Sequence, residues 1–227
     1  MTAGERQGAL RPVQTEPGVL VHSTADRHLA VEQWLLSAAR DRELARQEWT
    51  DRGVALLSLG GIMSAVRLPG RLVLPLTDAD TAPSRDVDAF LAEVLGGGPV
   101  ICDPRSLAYY CLVPAGTPHA WQDATPAWAP LEVGVLGRDA HLGVPRADCT
   151  GPDSFSPYWA VPMPSMGVLC EPTLVARLIE RAAFAALLDH SVLCPNCKPT
   201  GTGPACPGTL EGLRKAMSRA HRVVRPV

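Results

Sequence analysis

The sharpest local chemistry in this 227-residue chain lies near its end, where an imidazole and three thiols stand at ligand spacing: His190, Cys194, Cys197 and Cys206. Cys-x2-Cys places two thiolates on one tight turn, the usual half-site for tetrahedral zinc. His190 and Cys206 would complete a Cys3His set, and such a closed site would pin the last helix to the body. The second half-site is one cysteine, so a redox pair or three free thiols stay open beside the zinc reading. Cys194-Pro195-Asn196-Cys197 also matches half of a zinc-deaminase signature, but its upstream His-x-Glu is missing. His119 and His141 stand in or beside loops and read as solvated. No Gly-x-Ser-x-Gly elbow is present, and Gly60-Gly61 and Gly96-Gly97-Gly98 lack the Gly-Lys-Ser/Thr that a phosphate loop needs.

Composition narrows the classes. Twenty-one Lys and Arg against 23 Asp and Glu exclude a broadly basic nucleic-acid coat but leave room for a local basic groove. No apolar run approaches the roughly 20 residues of a membrane span. Only Lys198 and Lys215 are lysines, and Asn196 is the sole asparagine, a bias typical of high-GC coding. Each arginine is therefore weak testimony to phosphate binding. The N-terminal stretch has no apolar core or cleavage site of a secretory signal, and the odd count of seven cysteines suits a reducing compartment; both give a cytoplasmic expectation.

These residues must be positioned by a frame, and the apolar pattern predicts one. Residues 1–25 read as a loose Pro/Gly arm, and 28–49 as one helix capped by Thr24 or Asp26. A strand over 54–59 turns at Gly60-Gly61 into a hairpin partner over 62–68. Residues 72–76 form a further apolar run that can be read as a strand ended by Asp78-Ala79-Asp80. A helix over 86–95, capped by Ser84, carries Asp86 and Asp88 in its first turn, where acids complement the dipole. Strands follow at 100–103 and 107–113, an irregular Pro-rich loop at 114–130, a hairpin of 131–136 with 141–145, and a late strand at 158–161. Helices at 173–190 and about 208–221 close the chain. The irregular order predicts an α+β fold with a mostly antiparallel sheet flanked by helices, as 26–170 core and 171–227 helical appendage.

The order of landmarks resembles the N-terminal domain of bifunctional DNA primase/polymerases, in the eroded form carried by short actinobacterial proteins. The resemblance rests on Trp34-Leu35, Gly53-Val54-Ala55-Leu56-Leu57, Val66-Arg67-Leu68-Pro69, Gly98-Pro99-Val100-Ile101, Tyr109 to Pro114, 133–145 and Tyr158-Trp159. It covers roughly 34–161 and implies an RRM-like sheet. Active members end the second strand with a carboxylate pair for two divalent metals, place a histidine on a following strand, and add a third acid. Here the chain reads Ser64-Ala65-Val66-Arg67-Leu68 and Leu107-Ala108-Tyr109 at the first two places, and only Glu132 stands at the third.

The resemblance therefore implies a catalytically degenerate binding or regulatory module for a nucleotide, a nucleic acid or a protein partner. Arg67, Arg71, Arg105 and Arg138 would line one sheet face and grip phosphates where metal once sat; solvated surface arginines are the plain alternative. A divergent Mg²⁺- or Mn²⁺-dependent nucleotidyltransferase using Asp78, Asp80 and Glu132 is the competing reading, and an assembly protein without small ligand the third. Arg214, Lys215, Arg219, Arg222 and Arg225 make a basic end that suits a nucleic acid, an acidic partner or a helix C-terminus.

Overall fold

The structure is a computed structural model that describes residues 13–16, 19–21, 24–77, 79–151 and 155–193, with side chains for 24–77, 79–151 and 155–186. Its first strands, β1 (Val13–Glu16) and β2 (Val19–Val21), pair antiparallel within the stretch expected to be a loose arm.

The long opening helix is in fact two. Helix α1 spans Thr24–Leu35, a short 3-10 turn follows, and α2 spans Arg42–Arg52. Between them Ala39 is extended, and the Asp41 side chain accepts from the backbone N–H groups of Glu43 (2.9 Å) and Leu44 (3.0 Å). An N-cap aspartate satisfies two orphan donors at once, so the chain gains by restarting the helix there. Gly53 in the left-handed region ends α2.

Strands β3 (Val54–Ser58) and β4 (Met63–Pro69) do not form the expected hairpin. β3 pairs with β8 (His141–Pro145), whereas β4 lies between β6 (Ala108–Pro114) and β7 (Gly134–Leu136). β7 and β8 likewise part company. The reason is burial: six of seven β4 residues are shielded from solvent on both faces, so β4 needs a neighbour on each side. Gly60, at φ 84°, turns the chain from the side pair to the central sheet; a Cβ there would lie 2.5 Å from the Arg138 nitrogen. Leu59 N–H donates to Ala140 C=O (2.9 Å), tying the two crossings together.

The central sheet has the order β7-β4-β6-β5-β9, with β5 at Val100–Asp103 and β9 at Tyr158–Val161, all pairs antiparallel. One face packs Val66, Leu68, Cys102, Tyr109 and Tyr158 against helices α4 (Arg85–Val94) and α7 (Pro172–Leu193). The other packs Met63, Ala65, Ile101, Leu112 and Trp159 under β3, β8, α1 and α2. The α+β architecture with a mostly antiparallel sheet flanked by helices is thus observed. Two indole N–H groups fasten β8: Trp49 donates to Val144 C=O (2.9 Å), and Trp159 to Pro145 (3.2 Å) and Arg146 (3.1 Å).

Two further expectations change. The apolar run 72–76 is not a strand but the end of helix α3 (Gly70–Val73) and a 3-10 turn, Leu74–Leu76. The 114–130 loop contains short helices α5 (Thr117–Ala120) and α6 (Thr125–Trp128). There Trp121 and Trp128 meet edge to face, 5.1 Å between centroids, and close that end of the core. Ser84 caps α4 as expected, accepting from Val87 N–H at 3.5 Å. Among the described residues no helix is long and apolar enough to cross a membrane.

Candidate functional site

β4 carries Arg67 two residues before its end, opposite Tyr110 on β6 and Gly134 on β7. The strand then turns directly into α3, which brings Arg71 back over the same end of the sheet. Both guanidinium groups reach one segment. Arg67 Nη1 donates to the Glu132 carbonyl (3.4 Å), and Arg71 Nη2 to the Leu131 carbonyl (3.1 Å). Arg71 also pairs with the Glu132 carboxylate at 3.0 Å. Glu132 sits at φ 57°, ψ 25°, a left-handed position that ends a 3-10 turn over Ala129–Leu131. This backbone costs a non-glycine residue about 1 kcal/mol, and the arginine contacts on both adjacent carbonyls help hold it. The ion pair is half exposed on both sides, so its own stabilisation is small.

Three residues singled out in the sequence therefore converge: Arg67, Arg71 and Glu132. These three residues carry two positive charges and one negative, and of the cations Arg71 pairs with the carboxylate while Arg67 reaches the backbone, at the strand end where the resemblance expects carboxylates. Arg105 is on the β5–β6 turn at the same end of the sheet, since Asp103 and Pro69 both pair with Ala108. Its Nε donates to the Phe155 carbonyl at 3.1 Å, so the side chain does not join Arg67 and Arg71 on the Glu132 segment. Arg138 is exposed at the opposite end of β4, beside Gly60. Asp80 is exposed on the segment after the 3-10 turn, and Asp78 lies outside the described residues. Among the described residues no three His, Cys, Asp or Glu side chains are grouped as a metal site requires. His190 belongs to α7, but its side chain lies outside the described residues, as do Cys194, Cys197, Cys206, the last helix and the basic run 214–225.

His119 falls on α5 and His141 opens β8; both are solvent-facing. A different polar group was not foreseen. Tyr158 O–H reaches both oxygens of Asp88 at 3.1 Å, across the contact between α4 and β9. Burial pushes the Asp88 carboxyl up to about 6, although the Tyr158 hydroxyl and Arg85 pull the other way. The Cys102 thiol beside them is pushed up to about 11, again by burial, and both tyrosine hydroxyls are raised by burial and by Cys102. Cys102, Tyr109 and Tyr158 are buried, and Asp88 is half-buried at the edge of the group. The sequence signal for it was Tyr158-Trp159, an aromatic pair whose alternate side chains enter opposite cores.

Comparison of the chain with protein-family models, curated proteins and solved structures finds no match.

Proposed function

We propose that this chain is a binding module on a primase-polymerase-like frame, without polymerase activity, that holds a phosphate-bearing ligand at the α3 end of β4. The ligand class is a nucleotide or a nucleic-acid backbone, met in the cytoplasm. One observation carries the reading: Arg67 and Arg71 converge on the Glu132 segment. Each guanidinium has five N–H donors and spends one or two of them there, so donors remain for phosphate oxygens. A carboxylate held by Arg71 is also a poor ligand for Mg²⁺, which weighs against Glu132 serving a nucleotidyltransferase with Asp78 and Asp80.

The test is fluorescence anisotropy of a labelled single-stranded oligonucleotide and of a labelled nucleoside triphosphate, at low and moderate salt. Binding should weaken with salt, as phosphate contacts do. The double change Arg67→Gln, Arg71→Gln should weaken it by about tenfold or more, at roughly 1–3 kcal/mol for charged hydrogen bonds lost. Unchanged binding in that variant overturns the site. Mn²⁺-dependent nucleotide incorporation that Asp78→Ala abolishes would overturn the non-catalytic reading. A structural zinc on His190, Cys194, Cys197 and Cys206 belongs to the same proposal; elemental analysis should find one zinc per chain, reduced in Cys197→Ser.

A further inference from the structure

A second concavity lies away from the Arg67–Arg71 pair. It is a cleft of about 530 Å³ between the end of α2, the outer side of β3 and β8, and the β5–β6 turn. Its polar walls are Glu48 and Arg52 on one side and Asp103 and Arg105 on the other; its apolar floor includes Val54, Leu56 and Pro157. A smaller hollow of about 320 Å³ shares Arg52, Val54 and Pro157 and extends it toward Cys149. The larger cleft alone has the size of an ordinary small-molecule site.

The charges in this cleft are not equivalent. Both acids are already used as backbone braces. Glu48 accepts from the Leu56 N–H at 3.0 Å, sealing the free edge of β3. Asp103 accepts from Arg105 N–H (3.1 Å) and from Ser106 O–H (2.7 Å), shaping the turn. The bases keep donors to spare. Among the described residues the Arg52 side chain has no hydrogen-bond or ion-pair partner. Among the described residues Arg105 is anchored through Nε alone, which fixes its plane and leaves Nη1 and Nη2 as an end-on fork. Leu56, 58% exposed, gives the floor an accessible apolar surface.

From this we infer that the cleft is a binding site for a small amphipathic ligand with one anionic head group, a carboxylate or a phosphate monoester. The head group sits between Arg52 and Arg105, and the apolar body lies on Val54, Leu56 and Pro157. Among the described residues the lining is formally neutral, two acids against two bases, so a polyanion such as a triphosphate gains nothing here over a single anion. That separates this site from the one on β4.

The test is a titration of the ¹⁵N-labelled full chain, followed by amide shifts, with phenylacetate, phenyl phosphate, 2-phenylethanol and ATP as probes. Saturable shifts at Val54, Leu56 and Arg105 are expected for phenylacetate or phenyl phosphate, with Kd of about 1 mM or tighter. The stronger of the two names the head group. Arg52→Gln should weaken that binding at least several-fold with the spectrum otherwise intact, and Arg71→Gln should leave it unchanged. Arg105→Gln should weaken it too, but because Arg105 also holds Phe155, Arg52→Gln is the deciding variant. The inference is overturned if neither anion saturates, if the neutral alcohol binds as tightly, if ATP binds this cleft more tightly than phenyl phosphate, or if Arg52→Gln changes nothing.

Discussion

Asp88→Asn isolates a carboxyl that the fold holds well above its ordinary ionisation. Asp88 moves from 3.8 to about 6 because α4 and β9 remove water from it. A folded-state value above the unfolded one means that the native protein binds the proton more tightly. The stabilisation is therefore complete below about pH 4 and is lost as pH rises through about 6. A shift of two units is worth about 3 kcal/mol for a group fully withdrawn from water. Asp88 is only half-buried, so screening reduces the figure to about 1–2 kcal/mol. Asparagine cannot ionise, and its carbonyl still accepts from Tyr158. The variant should match the wild type near pH 4 and exceed it by about 1–2 kcal/mol at pH 7.5, or about 2–6 °C in Tm. Urea denaturation of both proteins across this range measures the difference, and other titrating groups cancel in the comparison. Parallel stability curves, or an asparagine variant weaker at pH 7.5, would refute the desolvation argument.

Other outcomes follow from single contacts. Gly98→Ala places a Cβ 2.8 Å from Cys170 Sγ and 2.9 Å from its Cα; a backbone that close cannot yield cheaply, and a loss of about 1–3 kcal/mol is expected in chemical denaturation. Asp41→Ala removes the cap that restarts the helix and should cost about 1 kcal/mol by the same assay. Thiol labelling followed by peptide mapping should modify Cys149, which is half exposed, before Cys102, Cys111 and Cys170, which are buried. Equal labelling of these four in the native state would contradict the packing described above.

Strands β4, β5, β6 and β9 were legible because they are apolar runs bounded by Gly or Pro, and the cap Ser84 was legible from residue type. Their partners were not. A Gly-Gly turn between two apolar runs signals a hairpin locally, but the turn here changes layers, and only the burial of β4 on both faces reveals it. The break at Asp41 was hidden because an acidic residue on a polar helix face and a capping residue look alike in one dimension. The run 72–76 lacks strand alternation and helical length alike, so its 3-10 geometry had no signature. In the site, Arg67, Arg71 and Glu132 could be named from sequence, whereas their convergence depends on α3 folding back over β4. Arg52 belongs to no motif in the sequence, and its cleft is visible only in three dimensions.

The pairing of β3 with β8 has a further consequence, in time rather than in space. Val54 lies opposite Pro145, about ninety residues later in the chain. Neither strand has another partner in its sheet, and between them in sequence run β4 to β7, which belong to a different sheet. The side pair therefore closes a loop that encloses most of the central sheet, and loop closure on that scale is slow because its entropy is lost before any contact offsets it. On a ribosome the exposed Ala55 and Leu57 must wait until β8 has emerged, so the nascent chain carries an unpaired apolar strand through much of its synthesis.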